Sequence, residues 1–326
     1  MLATLEILLP VFGLIFAGFA CRRRGVLGPN AASELNRFVV WLALPALLFD
    51  TMAHATWHQL YQPAFVATFS IACAAIFVLI LALRLVNGRH LADASVDAIA
   101  ASYPNTGYIG FPLGMIAFGQ ASLTPTTIAT ILVACVLFAL AIVLIEIGLQ
   151  TERTPHKLGL KVLRSLARNP LIVSPLAGVA VASLHVTLPA SAETFLKLLA
   201  GAASPCALVS LGLFLAEKRP TEAEAKGASG AGEAGSAGGI SLLLTAVKLI
   251  GQPALAWWLA ARVFGLAPTL VEMAVVLAAL PTGTGPFMLA EFYDREAHIT
   301  SRTILLSTLG SVLTLSLLLM VMGHRT

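Results

Sequence analysis

Tyr103-Pro104-Asn105-Thr106-Gly107-Tyr108-Ile109-Gly110-Phe111-Pro112-Leu113-Gly114 lies inside an apolar run, and its two prolines and three glycines do not make a regular helix. Proline lacks the amide donor and its ring clashes with the preceding turn; glycine adds freedom that a helix must then remove. In hydrocarbon each backbone group freed by such a break costs several kcal/mol unless protein or trapped water satisfies it. The stretch is therefore expected to be buried in protein or to line a cavity, which makes it a site candidate. Far downstream, Leu280-Pro281-Thr282-Gly283-Thr284-Gly285-Pro286-Phe287 repeats the pattern. Interruptions at corresponding places in two halves of a hydrophobic chain point to the substrate site of a transporter.

Composition sets the solvent in which these breaks sit. The 326 residues are 58% hydrophobic and 11% charged, with a mean hydropathy of +0.89, against about a quarter charged in soluble domains. An all-α polytopic membrane protein is the class this predicts. The net charge of +4 is small and gives no nucleic-acid footprint. Cys21, Cys73, Cys135 and Cys206 fall singly, with no metal-ligand spacing, so neither metal nor cofactor is expected. Three arginines follow the first apolar run and no basic residue precedes it, the reverse of a secretory signal. That run is expected to stay as the first span, with its N-terminus outside.

Runs of about 20 apolar residues fall at 4–21, 34–53, 64–86, 95–119, 125–149, 170–186, 192–216, 240–262, 269–292 and 299–322. Ten spans make two fives. Of the 20 Lys and Arg, 16 lie in odd-numbered connections: Arg22, Arg23, Arg24 and Arg37; Arg84 and Arg89; Arg153, Lys157, Lys161, Arg164 and Arg168; Lys218, Arg219 and Lys226; Arg295 and Arg302. Short cytoplasmic connections collect such residues, so both termini are expected outside the cytoplasmic membrane. The halves, 1–150 and 170–326, then have opposite topology. Their breaks correspond at Pro104 and Pro281, and Pro45 of span 2 corresponds to Pro205 of span 7. The connection 151–169 reads as a positive-inside loop, with an amphipathic helix on the inner leaflet as the other reading. The tract 217–239, rich in Gly, Ala and Glu, reads as a flexible cytoplasmic linker.

In this topology spans 4 and 9 run in opposite directions. Their second halves, beginning near Pro112 and Pro286, aim N-termini at the midplane from opposite sides. Each such end carries roughly half a positive charge and free amide donors, so two of them suit an anion. Asn105, Thr106, Tyr108, Thr282 and Thr284 add uncharged donors, while Gly107, Gly110 and Gly283 bring backbone close to a ligand. The first halves point C-terminal carbonyls at the same region, where a proton or small cation can sit. Two ionisable residues within spans bear on this: Lys248, which either attracts the anion or snorkels to headgroups, and Glu291, which either takes a coupling proton or is interfacial.

With these residues in hand the chain resembles the auxin efflux carrier family, whose bacterial members include malonate transporters. The resemblance rests on Asn105-Thr106-Gly107-Tyr108-Ile109-Gly110-Phe111-Pro112-Leu113, and more loosely on Leu280-Pro281 followed by Leu289-Ala290-Glu291-Phe292-Tyr293. It implies a fold like that of bile acid sodium symporters, with spans 4 and 9 broken and crossing. It further implies a scaffold of spans 1, 2, 6 and 7, a mobile transport domain of spans 3–5 and 8–10, often a dimer, and an organic-anion substrate at the crossover. The long central loop of the plant carriers is missing, and nothing indicates auxin itself. Rival readings are a sodium-coupled carrier of larger amphipathic anions, an intramembrane enzyme and a receptor. No HExxH, GxGD, GxSxG or P-loop supports the enzyme.

Overall fold

The chain is seen in a computed structural model that describes residues 2–54, 61–150, 155–216 and 231–323. Thirteen helices are used below. They are α1 (Leu2–Arg23), α2 (Ala31–Ala53), α3 (Pro63–Val86), α4 (Leu91–Ser102), α5 (Phe111–Phe118) and α6 (Leu123–Ile131, running on through Leu132–Leu137 and Phe138–Leu149). After these come α7 (Pro155–Arg168), α8 (Pro170–Ser183), α9 (Ala190–Leu215), α10 (Gly238–Val263), α11 (Pro268–Ala279), α12 (Gly285–Phe292) and α13 (Ala297–Val321). No ladder of strands accompanies them among the described residues.

By length and composition, six stretches among the described residues can cross a membrane, and a seventh if Val162–Arg168 and Pro170–Ser183, bent by 70°, form one. One of the six, Phe111–Leu149, holds 39 residues and folds back on itself. Gly119 stands at the turn with φ +63°, a conformation that L side chains rarely adopt. Gly110, just before α5, and Gly114 within it then let this segment lie against Thr126 of α6 and Ser122 just before α6, small residues permitting close approach. The second interrupted run escapes the length criterion because it is divided, α11 having 12 residues and α12 having 8, as does α4 of the first, with 12.

Glycine also sets the closest packing elsewhere. Gly212 of α9 lies against the Ile15 carbonyl of α1, Gly18 of α1 against that of Val209, and Gly178 of α8 against Phe49 and Met52 of α2. The Ser210 hydroxyl donates to the Ala32 carbonyl at 2.9 Å, so α1, α2, α8 and α9 form one close-packed group. Across from it, α3 buries Phe65, Phe69 and Phe77 in the apolar core shared with α4, α6, α10, α11 and α13. The outward faces remain apolar: Phe16, Val86, Leu198, Leu313, Leu317 and Met320 are exposed, a surface suited to lipid.

Proline shapes several of these helices without ending them. The π-turns Val39–Ala43, Thr106–Gly110 and Val247–Gly251 each stop two residues before a proline, Pro45, Pro112 and Pro253. A wider turn accommodates the ring and the lost hydrogen bond, so the helix bends and continues.

Two connections differ from their expected form. Residues 155–168 are helical and not a loop, as the basic and apolar periodicity of the amphipathic reading requires. Of the tract 217–239, residues 231–239 are helical, extending the apolar helix that follows them although four glycines disfavour it locally; residues 217–230 lie outside the described residues, as do Trp57 and His58, between spans 2 and 3.

Candidate functional site

The two breaks meet. α4 ends at Ser102 and the helix resumes at Thr106, while α11 ends at Ala279 and α12 begins at Gly285. Pro104 and Thr282 pair as an antiparallel bridge. The Asn105 amide donates to the Pro281 carbonyl at 2.9 Å, and the Gly283 amide to the Tyr103 carbonyl at 3.0 Å. Each break thus satisfies backbone groups that the other has exposed. The Thr282 amide donates to Ser307 Oγ at 3.1 Å, and its hydroxyl donates to the Ala100 carbonyl at 2.9 Å.

The crossing demands glycine at two positions. A Cβ at Gly283 or Gly285 would stand 2.9 Å from the Tyr103 ring, and at Gly285 also 3.1 Å from Phe138. Tyr103 in turn packs on Phe138 with ring centroids 5.9 Å apart.

Beside the crossing lies a cavity of about 390 Å³, within the range of small-ligand sites. Asn105, Thr106, Gly107, Pro104 and Thr284 reach it from the breaks. The lining also includes Asp50 and Thr51 of α2, Lys197 and Ser204 of α9, and Thr127 and Thr130 of α6. Of these, Lys197 Nζ stands 3.3 Å from Glu193, and Asp50 stands 3.2 Å from His54 Nδ1.

One boundary differs from expectation. The second half of the first broken run begins at Thr106, not near Pro112, because the π-turn Thr106–Gly110 absorbs that proline. Asn105 and Thr284 are therefore the residues at which the two second halves start. Both starts face the cavity, which gives it the positive ends of two helices.

Other sequence candidates stand elsewhere. Thr282 spends both its donors on Ser307 and Ala100. Gly283 lies under the Tyr103 ring, and Gly110 packs on Leu277, Leu280 and Thr126. Pro281 gives its carbonyl to the bridge, and Pro286 occupies the first turn of α12, as proline should. The Tyr108 side chain lies outside the described residues. Lys248 does not snorkel: it is fully buried and donates to the Ala278 carbonyl at 2.6 Å. Glu291 is half-buried in the last turn of α12, outside the cavity wall. The neighbouring Tyr293 donates to Glu146 at 2.8 Å, and Asn169 Nδ2 donates to Tyr293 at 3.3 Å.

Asp50, Thr51, Thr127, Thr130, Lys197 and Ser204 were not among the sequence candidates. Asp50 and Lys197 had a signal, an ionisable residue within an apolar run. The hydroxyls had none, since such residues commonly satisfy their own helix, as Thr130 does with the Thr126 carbonyl.

Known proteins place the chain. The model of the family described as "Membrane transport protein" matches residues 3–319. The "Putative malonate transporter" of Rhizobium meliloti is 32% identical over 314 residues, covering 96% of this chain and 94% of that one. The "Uncharacterized transporter YfdV" of Escherichia coli is 24% identical over 312 residues, 94% of each chain. An "Auxin efflux carrier component 3a" of Oryza sativa subsp. japonica is 33% identical over 150 residues, covering 45% of this chain and 22% of its own. With residues 3–319 matched and its broken runs paired, this multi-pass helical chain belongs to the membrane transport protein family, that of the auxin efflux carriers.

Proposed function

We propose that the protein is a secondary active transporter that carries a small carboxylate, such as malonate, across the cytoplasmic membrane by alternating access, and is not an enzyme. The observation that carries this reading is the cavity at the crossing of the two breaks, faced by two helix starts and by Asn105, Thr106 and Thr284. Their donors match a carboxylate without requiring a buried charge beside it. The malonate named in the Rhizobium meliloti relative supports the substrate class.

In this reading the chain has ten spans in two inverted halves of five, 1–150 and 170–326, with both termini outside. The matching first halves of the interrupted runs, 12 residues in each, support the repeat. Spans 1, 2, 6 and 7 are the scaffold and spans 3–5 and 8–10 the moving body, an elevator-like arrangement within a homodimer. Close packing of α1, α2, α8 and α9 supports that partition. A gradient of protons or another ion drives the cycle.

Purified protein in liposomes, given labelled malonate with and without an imposed pH gradient, tests the reading. Saturable uptake that the gradient increases is the expected result. Asn105→Ala is expected to weaken malonate affinity by about tenfold, the loss of one charge-assisted hydrogen bond; full affinity and uptake in that variant would remove the site from the crossing.

A further inference from the structure

Where the first halves of the broken runs end, at residues that do not line the cavity, the crossing holds the opposite electrostatic problem. α4 and α11 both end there, and each C-terminus carries about half a negative charge on carbonyls that its own helix leaves unpaired. Two such ends sum to about one negative charge, which one monovalent cation would neutralise. The chain supplies donors of its own at this place. Lys248 Nζ donates to the Ala278 carbonyl at 2.6 Å, one residue before α11 ends. Gln252 Nε2 donates to the Ser102 carbonyl, the last of α4, at 3.2 Å. The Thr282 hydroxyl holds the Ala100 carbonyl one half-turn earlier.

Lys248 and Gln252 are four residues apart on α10 and so share a face. The π-turn Val247–Gly251, which Pro253 imposes, contains Lys248 and adjoins Gln252. Both side chains are fully buried, and among the described residues no carboxylate lies within ion-pair distance of Lys248. A buried ammonium without a carboxylate is costly. Here its counter-charge is the pair of helix ends themselves.

We propose that Lys248 is a tethered counter-cation, holding the position behind the crossing that a soluble coupling cation would otherwise take, so that anion binding at the cavity needs no sodium. Resting on the carboxylate-carrier reading, the inference adds to it which ion the carrier does without. With the carbonyl ends neutralised from behind, the positive helix starts at Asn105 and Thr284 act on the cavity uncompensated. Of the two sequence-based roles for the coupling ion, sodium is removed and the proton is left.

Two measurements on the full chain test it, one of which involves no substrate. Thermal unfolding of the detergent-purified protein is followed in sodium, potassium, choline and methylammonium chloride at equal ionic strength. Wild type is expected to unfold at the same temperature in all four. Lys248→Ala, which vacates the carbonyls, is expected to be less stable in choline and to regain several degrees in sodium or methylammonium, as ligand linkage requires. Lys248→Met, which keeps the length and removes the charge, is expected to stay destabilised in every salt.

In liposomes, wild-type malonate uptake is expected to be equal within about twofold with and without sodium, and that of Lys248→Ala to fall about tenfold without sodium and recover with it. A wild type stabilised by sodium, a sodium requirement for its uptake, or a Lys248→Met variant matching wild type in both measurements would overturn the proposal. If neither variant folds in any salt, the wild-type sodium response alone decides. Absence of malonate uptake together with cation rescue of Lys248→Ala in the unfolding measurement would remove the carrier reading and leave the counter-cation standing.

Discussion

At the scale of the residue, the crossing is a matter of which atoms leave room and which supply donors. Gly285→Ala puts a methyl 2.9 Å from Cζ of Tyr103 and 3.1 Å from Phe138, contacts that two packed rings cannot yield. Overpacking of this kind costs about 1–3 kcal/mol, read as a lower unfolding temperature, and Tyr103→Leu in the same chain is expected to restore part of the loss. Ser307→Ala leaves the buried Thr282 amide without its acceptor, at a cost of about 1–3 kcal/mol. Hydrogen exchange at Thr282 should rise in that variant. Asn105, Thr106 and Thr284 could be read as candidates from the chain because they stand inside the interruptions themselves. Asp50, Lys197 and Ser204 reach the same cavity only because α2 and α9 pack against each other, and pairings between distant helices leave no local mark.

Helices were legible where hydrophobicity alone decides them. Pro63–Val86, Ala190–Leu215 and Ala297–Val321 each begin within two residues of the apolar runs at 64, 192 and 299. The restart of helix at Thr106 was hidden, since Pro112 reads as a boundary until a π-turn is seen to absorb it. Helix α7 was half-hidden for a different reason: a basic amphipathic segment obeys the positive-inside pattern whether coiled or helical. One contact between elements carries a prediction. Tyr293 beyond α12 joins Glu146 of α6 to Asn169, which caps α8. Nearby, the rings of Trp41 and Phe292 stand 6.3 Å apart. On the proposed reading this is the closed cytoplasmic end of the pathway, and Tyr293→Phe unlatches it. A cysteine introduced at Thr106 in a cysteine-free chain is then expected to react with an impermeant maleimide faster in inside-out vesicles than it does beside Tyr293.

For the molecule as a whole, sequence reading reached the membrane class and the paired interruptions, because composition and proline need no tertiary context. The way the interruptions bond to one another is a tertiary fact and had to be seen. Orientation is open to a direct check: alkaline phosphatase fused after Thr326 is expected to be active, and a fluorescent protein fused there dark, if the C-terminus faces outward. The bridge between the breaks also has a consequence for biosynthesis. Asn105 leaves the ribosome long before Pro281, the acceptor of its amide. At about 5–20 residues per second, the interval is roughly 10–35 s. Throughout that interval the Asn105 amide and the Tyr103 carbonyl lack their native partners, Pro281 and Gly283. Unsatisfied backbone is costly in hydrocarbon, so water, lipid headgroups or a helper protein is expected to cover the break between α4 and α5 until the second half arrives, and a chain cut short before Pro281 is expected to be degraded faster than the full chain.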